Sequence, residues 1–460
     1  MELYLGGLNG NHLLNLLLEA ERVIDGQRRT EEVWAAVAYA TDSKGSGALI
    51  SHCFEKAIPL KFWGRLDDQV AVDVGTLNMF LQRSSPEYVC KLVPKHHAKV
   101  IWWRGFGVYI GSANLTYAAW NRNIEAGCFL EEQELTTEQV EDLERMFEKL
   151  DAKASPLTEE LRDLMIARGR KIAASAATDP SFWKHPSVTD WGGLVTREPK
   201  QSSDQRRDTF LLEWNETLQY LRDIAARVSQ PDYRPRWIDK EASPGAQADQ
   251  FLHAHYYNNT FDGQQAAYER HFNDNKSRKE AALTDAMHWW ANLPAPPSKK
   301  YDEETTVNVV APMMTELLAK DRILTLSKIE FRQKIVANVH AIMEYARRVR
   351  NEAVRLPGGQ PYTMEEKQDA LAEYLWSQRN QGGQSVMQLL HEVLYGGPDD
   401  LLPQRIWSAI SDPKKKIDRF GISAIGETVG WANPDRFPPR NGRTSKALRS
   451  LGYDVKVHVG

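Results

Sequence analysis

Apolar and polar positions follow two different periods over about the first 150 residues. Short, dense apolar runs have strand composition, and longer stretches between them repeat apolar residues at helical spacing. The strand-like runs are EVWAAVAYAT, LKFWGRL, YVCKLVP and NIEAGCFLEE, and the helical stretches are NHLLNLLLEAERVI, GALISHCFEKAI, TLNMFLQR and TTEQVEDLERMFEKLDAK. Because strands and helices alternate along the chain, the pattern predicts an α/β layered domain with a sheet and flanking helices.

The pattern changes in the second part of the chain. Residues 176–207 are rich in Pro, Gly, Ser and charge, which predicts a linker. Beyond it, TFLLEWNETLQYLRDIAARV and EFRQKIVANVHAIMEYARRV have helical spacing, and TMEEKQDALAEYLWSQ opens with Thr363 and Glu366 in capping-box positions. We therefore expect a catalytic α/β domain over residues 1–152, a helix and linker over 153–207, a mainly α-helical domain over 208–400, and a C-terminal module over 401–460.

Composition places the chain among soluble proteins. With 460 residues it is long enough for more than one domain. The leucine-rich patch from Leu13 to Leu18 is broken by Asn15 and is too short to span a bilayer, and no signal peptide is recognised. The three cysteines, Cys53, Cys90 and Cys128, are too few for a disulfide framework. We expect a cytoplasmic protein with no membrane association.

Charge is unevenly distributed. The formal net charge is −4, yet residues 413–450 hold nine lysines and arginines against three acids, interleaved with Phe420, Trp431 and Phe437. This composition is typical of a nucleic-acid contact surface, although a solvated charged face would look the same. The residues assigned to the candidate contact surface are Lys414, Lys415, Lys416, Arg436, Arg440, Arg443 and Lys446.

The segment KHHAKVIWWRGFGVYIGSANLT, residues 95–116, predicts a hairpin. A two-residue type II′ turn at Gly105-Phe106 would place Lys99 opposite Ser112, and His97 opposite Asn114. The four side chains would then share one face, roughly 5–7 Å apart, which is the footprint of one phosphate group. A one-residue slip in register would remove this arrangement.

These residue types fit phosphate chemistry. An imidazole can attack phosphorus or donate a proton near neutral pH, while lysine, asparagine and serine supply charge and donors for phosphate oxygens. Nothing in the segment forms a cage of oxygen ligands. We therefore expect no metal and no other cofactor.

Three short motifs in this order point to a family. His97-Ala98-Lys99, Gly111-Ser112-Ala113-Asn114 and Asn123-Ile124-Glu125 resemble the His-x-Lys, Gly-Ser-x-Asn and downstream Glu of the phospholipase D superfamily, over about residues 1–150. The resemblance implies that His97 is the nucleophile and forms a phosphohistidine. It implies that Lys99 and Asn114 hold the phosphate with help from Ser112, and that Glu125 orients the imidazole. His96 points to the other face of the predicted hairpin and is left out.

The chain departs from the family pattern in two respects. Arg104 stands where the family has Asp, at the predicted turn and roughly 23 Å from His97 at strand rise. We interpret it as a structural variation, and a degenerate site stays open. The chain also has one His-x-Lys signature where the mechanism needs two histidines. Single-signature members of the family build one site across a two-fold axis, so we expect a homodimer with a shared active site.

Other histidines and tryptophans could in principle bind a metal or stack on bases, but ordinary packing explains them more simply. His253-Ala254-His255 could offer two metal ligands, but no third follows, so packed or surface histidines are favoured. Trp102, Trp103 and Trp289-Trp290 are expected in cores rather than as stacking platforms. The segment WANPDRFPPRNGRTSKALRSLGYDV is similar to segments in proteins of prokaryotic restriction and defence systems, which implies a module that binds nucleic acid or a partner.

Three functions remain from these patterns. The first is a nuclease that hydrolyses DNA or RNA, directed by its helical region and serving an anti-phage or restriction system with a helicase or another defence-system protein. The second is a phospholipase or phosphatidyl-transfer enzyme. The third is a catalytically degenerate dimerisation platform. We favour the nuclease because the tail is basic and aromatic, and because no amphipathic membrane face or lipid anchor is recognised.

Overall fold

The structure is a computed structural model, and it divides the chain into two compact units, Met1–Pro199 and Lys200–Gly460. The residues it describes are 1–5, 8, 11, 13–24, 27–41, 49–67, 70–83, 85–121, 123–174, 185–188, 203–263, 265–298, 302–358 and 360–458. Much of the predicted linker lies outside these residues, and the four predicted domain boundaries stay predictions. No helix among the described residues is both long and apolar enough to cross a membrane.

The first unit is built on one mixed sheet. Its strands are β1 (Glu2–Leu5), β4 (Glu32–Val37), β5 (Leu60–Leu66), β6 (Tyr88–Pro94), β7 (Lys99–Arg104), β8 (Gly107–Gly111), β9 (Ala126–Glu131) and β10 (Ser155–Pro156), and β2 (Val23–Ile24) and β3 (Gln27–Arg28) form a separate small pair. The order across the sheet is β1-β9-β8-β7-β4-β5-β6-β10. Strands β4, β5 and β6 are parallel, whereas β7, β8 and β9 are antiparallel to their neighbours.

Helices accompany the sheet as the alternating pattern predicts. They are α1 (Leu13–Ala20), α2 (Leu49–Glu55), α3 (Val74–Gln82), α4 (Tyr117–Asn121), α5 (Thr137–Ala152) and α6 (Glu159–Ala174). Helix α3 begins where the Asp73 carboxylate accepts the Thr76 N–H at 2.6 Å. Helix α5 begins with a capping box between Thr136 and Gln139. The expected α/β layering is confirmed in this unit.

Aromatic residues fill both faces of the sheet around β7. On one face Trp103 and Tyr109 are buried together with Phe129. On the other face Trp102 and Trp34 pack against Phe147 of α5, with ring centroids 6.4 and 5.4 Å from the Phe147 ring. Because strands covered on both faces need apolar residues at nearly every position, the run around Trp102 and Trp103 is a core strand, as predicted.

The predicted register of the β7–β8 hairpin is wrong by one residue. Trp103 pairs with Gly107, so three residues form the connection instead of two. Gly105, with φ at 89°, occupies the third position of a turn in which the Phe106 N–H donates to the Trp103 carbonyl at 2.9 Å. The Gly105 N–H also donates to the buried Glu132 carboxylate at 2.6 Å, which fixes this turn. In this register Lys99 lies beside Gly111 rather than Ser112.

The second unit is mainly α-helical, as expected. Its α-helices are Ser203–Val228, Pro244–Asn259, Tyr268–Asn275, Lys279–Ala291, Glu303–Thr305, Ala311–Leu317, Lys328–Glu330, His340–Arg348, Met364–Ser377, Val386–Tyr395, Leu402–Ser411, Ile422–Ala432 and Gly442–Ser450. Two wider π-helical turns, Thr306–Val310 and Phe331–Val336, interrupt them, and β11 (Phe261–Asp262) pairs with β12 (Gln265–Ala266). The Thr363–Glu366 capping box is present as predicted, with bonds of 2.7 and 3.2 Å.

One predicted helix of this unit is two. The stretch EFRQKIVANVHAIMEYARRV ends its first helical part at Val336, and a new helix begins at His340. The new helix is capped from a distance, because the Glu427 carboxylate accepts the N–H groups of His340 and Ala341, both at 2.8 Å. The break therefore depends on a residue that local periodicity does not include.

Candidate active site

The residues predicted to form the site meet at one edge of the sheet. At this edge the parallel strands β4 and β5 end, β7 begins and β8 ends. The Arg65 N–H donates to the Ala38 carbonyl at 3.2 Å, and the Ala38 N–H donates to the Ala98 carbonyl at 3.1 Å. Backbone bonds thus tie the ends of β5 and β4 to the start of β7, which is the edge where open α/β sheets bind ligands.

The segment after β8 crosses the start of β7. Leu115 donates its N–H to the Tyr39 carbonyl at 2.9 Å, and the Thr41 N–H donates to the Leu115 carbonyl at 2.9 Å. Since β4 lies beyond β7 in the sheet, residues 112–115 must pass over the beginning of β7 to make these bonds. Ser112 and Asn114 therefore reach the site from this crossing segment, and the alternation of a paired strand does not govern them.

His97 and Lys99 form the centre of the site. The Lys99 Nζ lies 3.2 Å from His97 Nδ1 and 3.3 Å from Nε2, and it donates to the His97 carbonyl at 3.2 Å. His97 is exposed, whereas Lys99 is half-buried. An exposed imidazole beside a fixed ammonium group is suited to receive a phosphate, because the ammonium can neutralise a phosphate oxygen while the imidazole faces phosphorus.

The surroundings favour a neutral imidazole. Partial burial lowers the pKa of His97, and the positive charges of Lys99 and Arg65 lower it further. Burial also lowers the pKa of Lys99, an effect that the Glu125 carboxylate opposes. At neutral pH the imidazole consequently keeps a free lone pair, which a nucleophile requires.

Ser112 and Glu125 form a hydrogen-bonded pair at the same edge. The Ser112 hydroxyl donates to Glu125 Oε2 at 2.5 Å and accepts the Ala126 N–H at 3.0 Å. Asn123 donates its side-chain amide to Glu125 Oε1 at 3.2 Å. Among the described residues Glu125 makes these bonds and none to His97, so its predicted role in orienting an imidazole stays a prediction. Asn123 is a supporting residue that the sequence reasoning did not assign.

Asn114 is half-buried in the crossing segment. Its carbonyl accepts the Trp120 Nε1–H at 3.0 Å and the Thr116 N–H at 2.9 Å. Its side-chain Oδ1 is buried and makes no hydrogen bond with the described residues. The structure fixes the backbone of Asn114 at the site, and its predicted contact with phosphate stays a prediction.

Tyr39 and Arg65 are site residues that the sequence reasoning missed. The ring centroids of Tyr39 and His97 are 6.1 Å apart, and the Arg65 guanidinium lies 5.8 Å from the Tyr39 ring. The available signal was the single arginine near the end of the apolar strand LKFWGRL. It becomes informative only when the parallel strands are known to end at one edge.

Tyr109 lies beneath the site, over two glycines. A Cβ added to Gly111 would lie 2.2 Å from the Tyr109 hydroxyl, and one added to Gly127 would lie 2.4 Å from its ring. Burial raises the pKa of Tyr109 to about 12, so the phenol stays protonated. The two glycines are needed because the Tyr109 ring fills the space that any side chain would take.

The His96 imidazole is buried beside the site, and Arg104 lies away from it. His96 is 4% exposed, and burial lowers its pKa to about 4, so it is not a second histidine for catalysis in this chain. Arg104 stacks at the other end of β7, with its guanidinium 4.7 Å from Trp34 and 4.5 Å from Trp102. At strand rise this end is roughly 17 Å from Lys99, so the departure from the family pattern does not touch the site.

The basic residues of the predicted contact surface are divided between surface and interior. Lys414 and Arg436 are exposed, Lys416 is half-buried, and Lys415 is bound to Glu392 at 2.5 Å. Arg436 also pairs with Asp399. A surface around Lys414 that contacts nucleic acid therefore stays a prediction.

Three of the basic residues do not lie on the surface. Arg440, Arg443 and Lys446 are 4%, 8% and 8% exposed. Arg440 pairs with Glu213, Arg443 with Asp249 at 2.9 Å, and the Lys446 Nζ lies 5.7 Å from the Tyr268 ring. All three side chains are buried, and acids inside the fold compensate the charges of Arg440 and Arg443, which corrects the expectation that these residues face nucleic acid. The local charge count could not show this, because Glu213 and Asp249 are about 200 residues away in the chain.

His253 is a packed residue in the interior of the second unit. It is 1% exposed, and its Nδ1 lies 3.1 Å from the buried Glu303 carboxylate. Over the part of the chain that the structure describes, no group of three or more His, Cys, Asp or Glu side chains could hold a metal ion. The expectation of a metal-independent site stays a prediction.

Comparisons with known proteins address the first unit. Residues 66–150 match the family model described as "Cardiolipin synthase, PLD-like domain". The crystal structure of a phospholipase D family member, Nuc from Salmonella typhimurium, is similar over 34% of this chain and 95% of its own, with 15% identity and a TM-score of 0.26. No curated protein matches the chain. The expected fold class, a sheet with flanking helices followed by a mainly helical region, is confirmed, and residues 66–150 within the first unit match a PLD-like domain.

Proposed function

We propose that the first unit is a phosphodiesterase in which His97 is the nucleophile, and that its substrate is a nucleic acid. The observation that carries this proposal is the exposed imidazole of His97 with the Lys99 Nζ at 3.2 Å, at the ligand-binding edge of the sheet. The match of the surrounding residues to a phospholipase D-like domain supports it.

In the proposed reaction the His97 imidazole attacks phosphorus and expels one alcohol oxygen of the diester. A phosphohistidine forms as the P–O bond breaks, and a second histidine gives its proton to the leaving oxygen. Water then attacks the phosphohistidine and gives a proton to the second histidine as the P–N bond breaks. This step releases the phosphate monoester and restores both imidazoles to their starting states. Lys99 and Asn114 hold the non-bridging oxygens, and Ser112 positions Glu125, which holds a histidine in its tautomer. No step uses a metal.

The second histidine comes from a second copy of the chain in this proposal. An exposed apolar row beside the site supports such a homodimer: Leu3 pairs with Cys128, which pairs with Ile110, and Leu3 and Ile110 are 53% and 42% exposed. Ile124, next to Glu125, is 74% exposed. Apolar residues in one row across three strands are suited to a self-complementary contact.

A lipid substrate is the second candidate. The family model that matches residues 66–150 is described by the name of a lipid enzyme, and this description favours phosphatidyl transfer. Against it stand the exposed lysine at position 414 and the similarity of the C-terminal segment to defence proteins. We propose DNA or RNA as the substrate, with a cytoplasmic role in restriction or anti-phage defence and a helicase-like protein as partner.

Cleavage assays in EDTA test the proposal directly. Supercoiled plasmid, single-stranded DNA, RNA and phosphatidylglycerol vesicles are each offered to the full chain and to His97→Ala. We expect metal-free cleavage of a nucleic acid that falls about 10³-fold or more in the variant. Cleavage of lipid alone would favour the second candidate, and cleavage that survives the substitution would exclude His97 as nucleophile.

A further inference from the structure

Arg65 brings a second cation to the edge of the sheet, held there in an ion pair with Asp67. It lies on β5, which is separated from β7 by β4 alone. At the usual spacing of neighbouring strands, the ends of β5 and β7 are roughly 10 Å apart. The Arg65 side chain reaches from β5 towards the start of β7, because its Nη1 lies 3.3 Å from the His96 carbonyl, and it adds a donor group next to His97 and Lys99.

The guanidinium of Arg65 is fixed in place without being fully occupied. Its Nε–H donates to Asp67 at 2.6 Å, and Nη1 donates to the His96 carbonyl at 3.3 Å. Among the described residues these bonds use two of its five N–H donors, and the side chain remains 21% exposed. A planar guanidinium held this way is pre-organised to bind an anion with its remaining donors.

Tyr39 lies beside both Arg65 and His97. Its ring lies 5.8 Å from the Arg65 guanidinium and 6.1 Å from the His97 ring. The ring is partly exposed. An aromatic surface beside two phosphate-binding groups is suited to the sugar and base that join neighbouring phosphates in a nucleic-acid strand.

We infer that Arg65 and Tyr39 form a subsite for the phosphate and nucleoside that adjoin the scissile phosphodiester. This inference rests on the proposed function, and it names the substrate class as a polymer with a phosphate at each residue. A substrate with one isolated phosphodiester would fill the His97 position and offer no second phosphate to the remaining N–H donors of Arg65. The alternative is that Arg65 only joins strand ends through Asp67 and the His96 carbonyl.

Binding to charge-modified strands tests the inference apart from catalysis. Every variant carries His97→Ala, so that no strand is cut. One labelled single strand is fully charged, and the other alternates phosphodiester and neutral methylphosphonate linkages, so that it never offers two neighbouring charges. Fluorescence anisotropy at fixed salt gives the ratio of the two affinities for the Arg65 chain and for Arg65→Gln. Arg83→Gln is the matched control, because Arg83 is an exposed arginine of the same unit that stacks on Phe54 and Tyr88.

We expect Arg65→Gln to reduce the affinity ratio in favour of the fully charged strand about tenfold or more. This is the effect expected from losing one charge-assisted hydrogen bond to phosphate. Arg65→Lys should recover part of the preference, and Arg83→Gln should leave it as in the parent. An equal preference in the Arg65→Gln and parent proteins overturns the inference, and so does an equal loss in the Arg83→Gln protein. If the preference depends on Arg65 but the protein with His97 intact cuts no strand, the subsite stands and the proposed nuclease activity fails.

Discussion

Ser112 and Glu125 are joined by a hydrogen bond of 2.5 Å from the hydroxyl to Oε2. The bond connects the end of β8 to the residue that precedes β9, and the Ala126 N–H completes it by donating to Ser112 Oγ at 3.0 Å. Glu125 is thereby held at the sheet edge, where its charge reaches Lys99. The serine of the Gly-Ser-x-Asn motif consequently positions an acid, in addition to any contact with substrate.

Ser112→Ala should reduce kcat/KM for the preferred phosphodiester by about tenfold, because it removes one hydrogen bond to the charged Glu125 carboxylate. Ser112→Thr keeps the hydroxyl and should retain most of the activity. Thr116→Ala is a matched control, because its hydroxyl accepts the Ala119 N–H at 3.2 Å and has no bond to Glu125. Equal activity of the Ser112→Ala and Thr116→Ala proteins would show that the pair does not matter for catalysis.

The pH dependence should report the charges around His97. Attack needs a neutral His97, while protonation of the leaving oxygen needs the protonated imidazole of the second copy, so the acid limb reports the attacking imidazole. Burial and the charges of Lys99 and Arg65 lower the pKa of His97, so this limb should lie below the ordinary histidine pKa of about 6.5. Arg65→Gln removes one of the lowering charges. The pKa of His97 then rises, and the acid limb of kcat/KM against pH should move to higher pH. A limb that stays in place, or moves as far with Arg83→Gln, contradicts this assignment.

Ile110→Glu should convert the expected dimer into a monomer. A carboxylate in the row formed by Leu3, Cys128 and Ile110 would have to lose water on association, which is unfavourable for an unpaired charge. Sedimentation velocity gives the mass, and the same sample gives the activity. Leu212→Glu, at a 72% exposed position of the second unit, is the control. A parent protein that sediments as a monomer and still cleaves its substrate would refute the shared site.

Arg443 should be needed for the stability of the second unit. Arg443→Leu leaves the fully buried Asp249 carboxylate without its cation, which should cost about 3–5 kcal/mol of unfolding free energy. Combining it with Asp249→Leu should recover part of the loss, because the Asp249 charge is gone, while the buried Glu427 still lacks the favourable charge of Arg443. Urea unfolding followed by hydrogen exchange in the helix Pro244–Asn259 measures the effect. The exposed Lys414→Leu should change stability by no more than about 0.5 kcal/mol.

Gly127→Ala should destabilise the part of the sheet that lies beneath the site. The new methyl group would lie 2.4 Å from the Tyr109 ring, so the ring or strand β9 must move, at a cost of about 1–3 kcal/mol. Tyr109→Leu in the same chain removes the clashing ring and should recover part of the loss in melting temperature. Gly382→Ala, whose methyl group would meet nothing closer than 3.3 Å, should be tolerated. Equal melting temperatures for Gly127→Ala and the parent would show that the ring has room to move.

Many elements of both units were predictable because their signals are local. The apolar runs from Leu60 and Tyr88 are strands, and the capping pair Thr363–Glu366 begins its helix as expected, since each depends on residues next to one another. The hairpin register was not predictable in the same way. It depends on Glu132, which accepts the Gly105 N–H from 27 residues away.

The candidate site was partly recoverable despite the wrong register. His97 and Lys99 lie at the start of β7, and their adjacency follows from the motif itself. Ser112 reaches the same edge because the chain leaves β8 at Gly111 and crosses to Tyr39. Arg65 could not be assigned from the sequence, because only the parallel pairing of β4 and β5 brings it to that edge.

The ion pairs of Arg440 and Arg443 set an order of events during synthesis. Their acidic partners, Glu213 and Asp249, are made 227 and 194 residues earlier. Until Arg440 and Arg443 have been synthesised, the two carboxylates have no positively charged partner, and their burial is unfavourable. The helices that carry them therefore cannot complete the core of the second unit before that point. The second unit can therefore be completed only after Arg440 and Arg443 have been synthesised, while the first unit can fold before them.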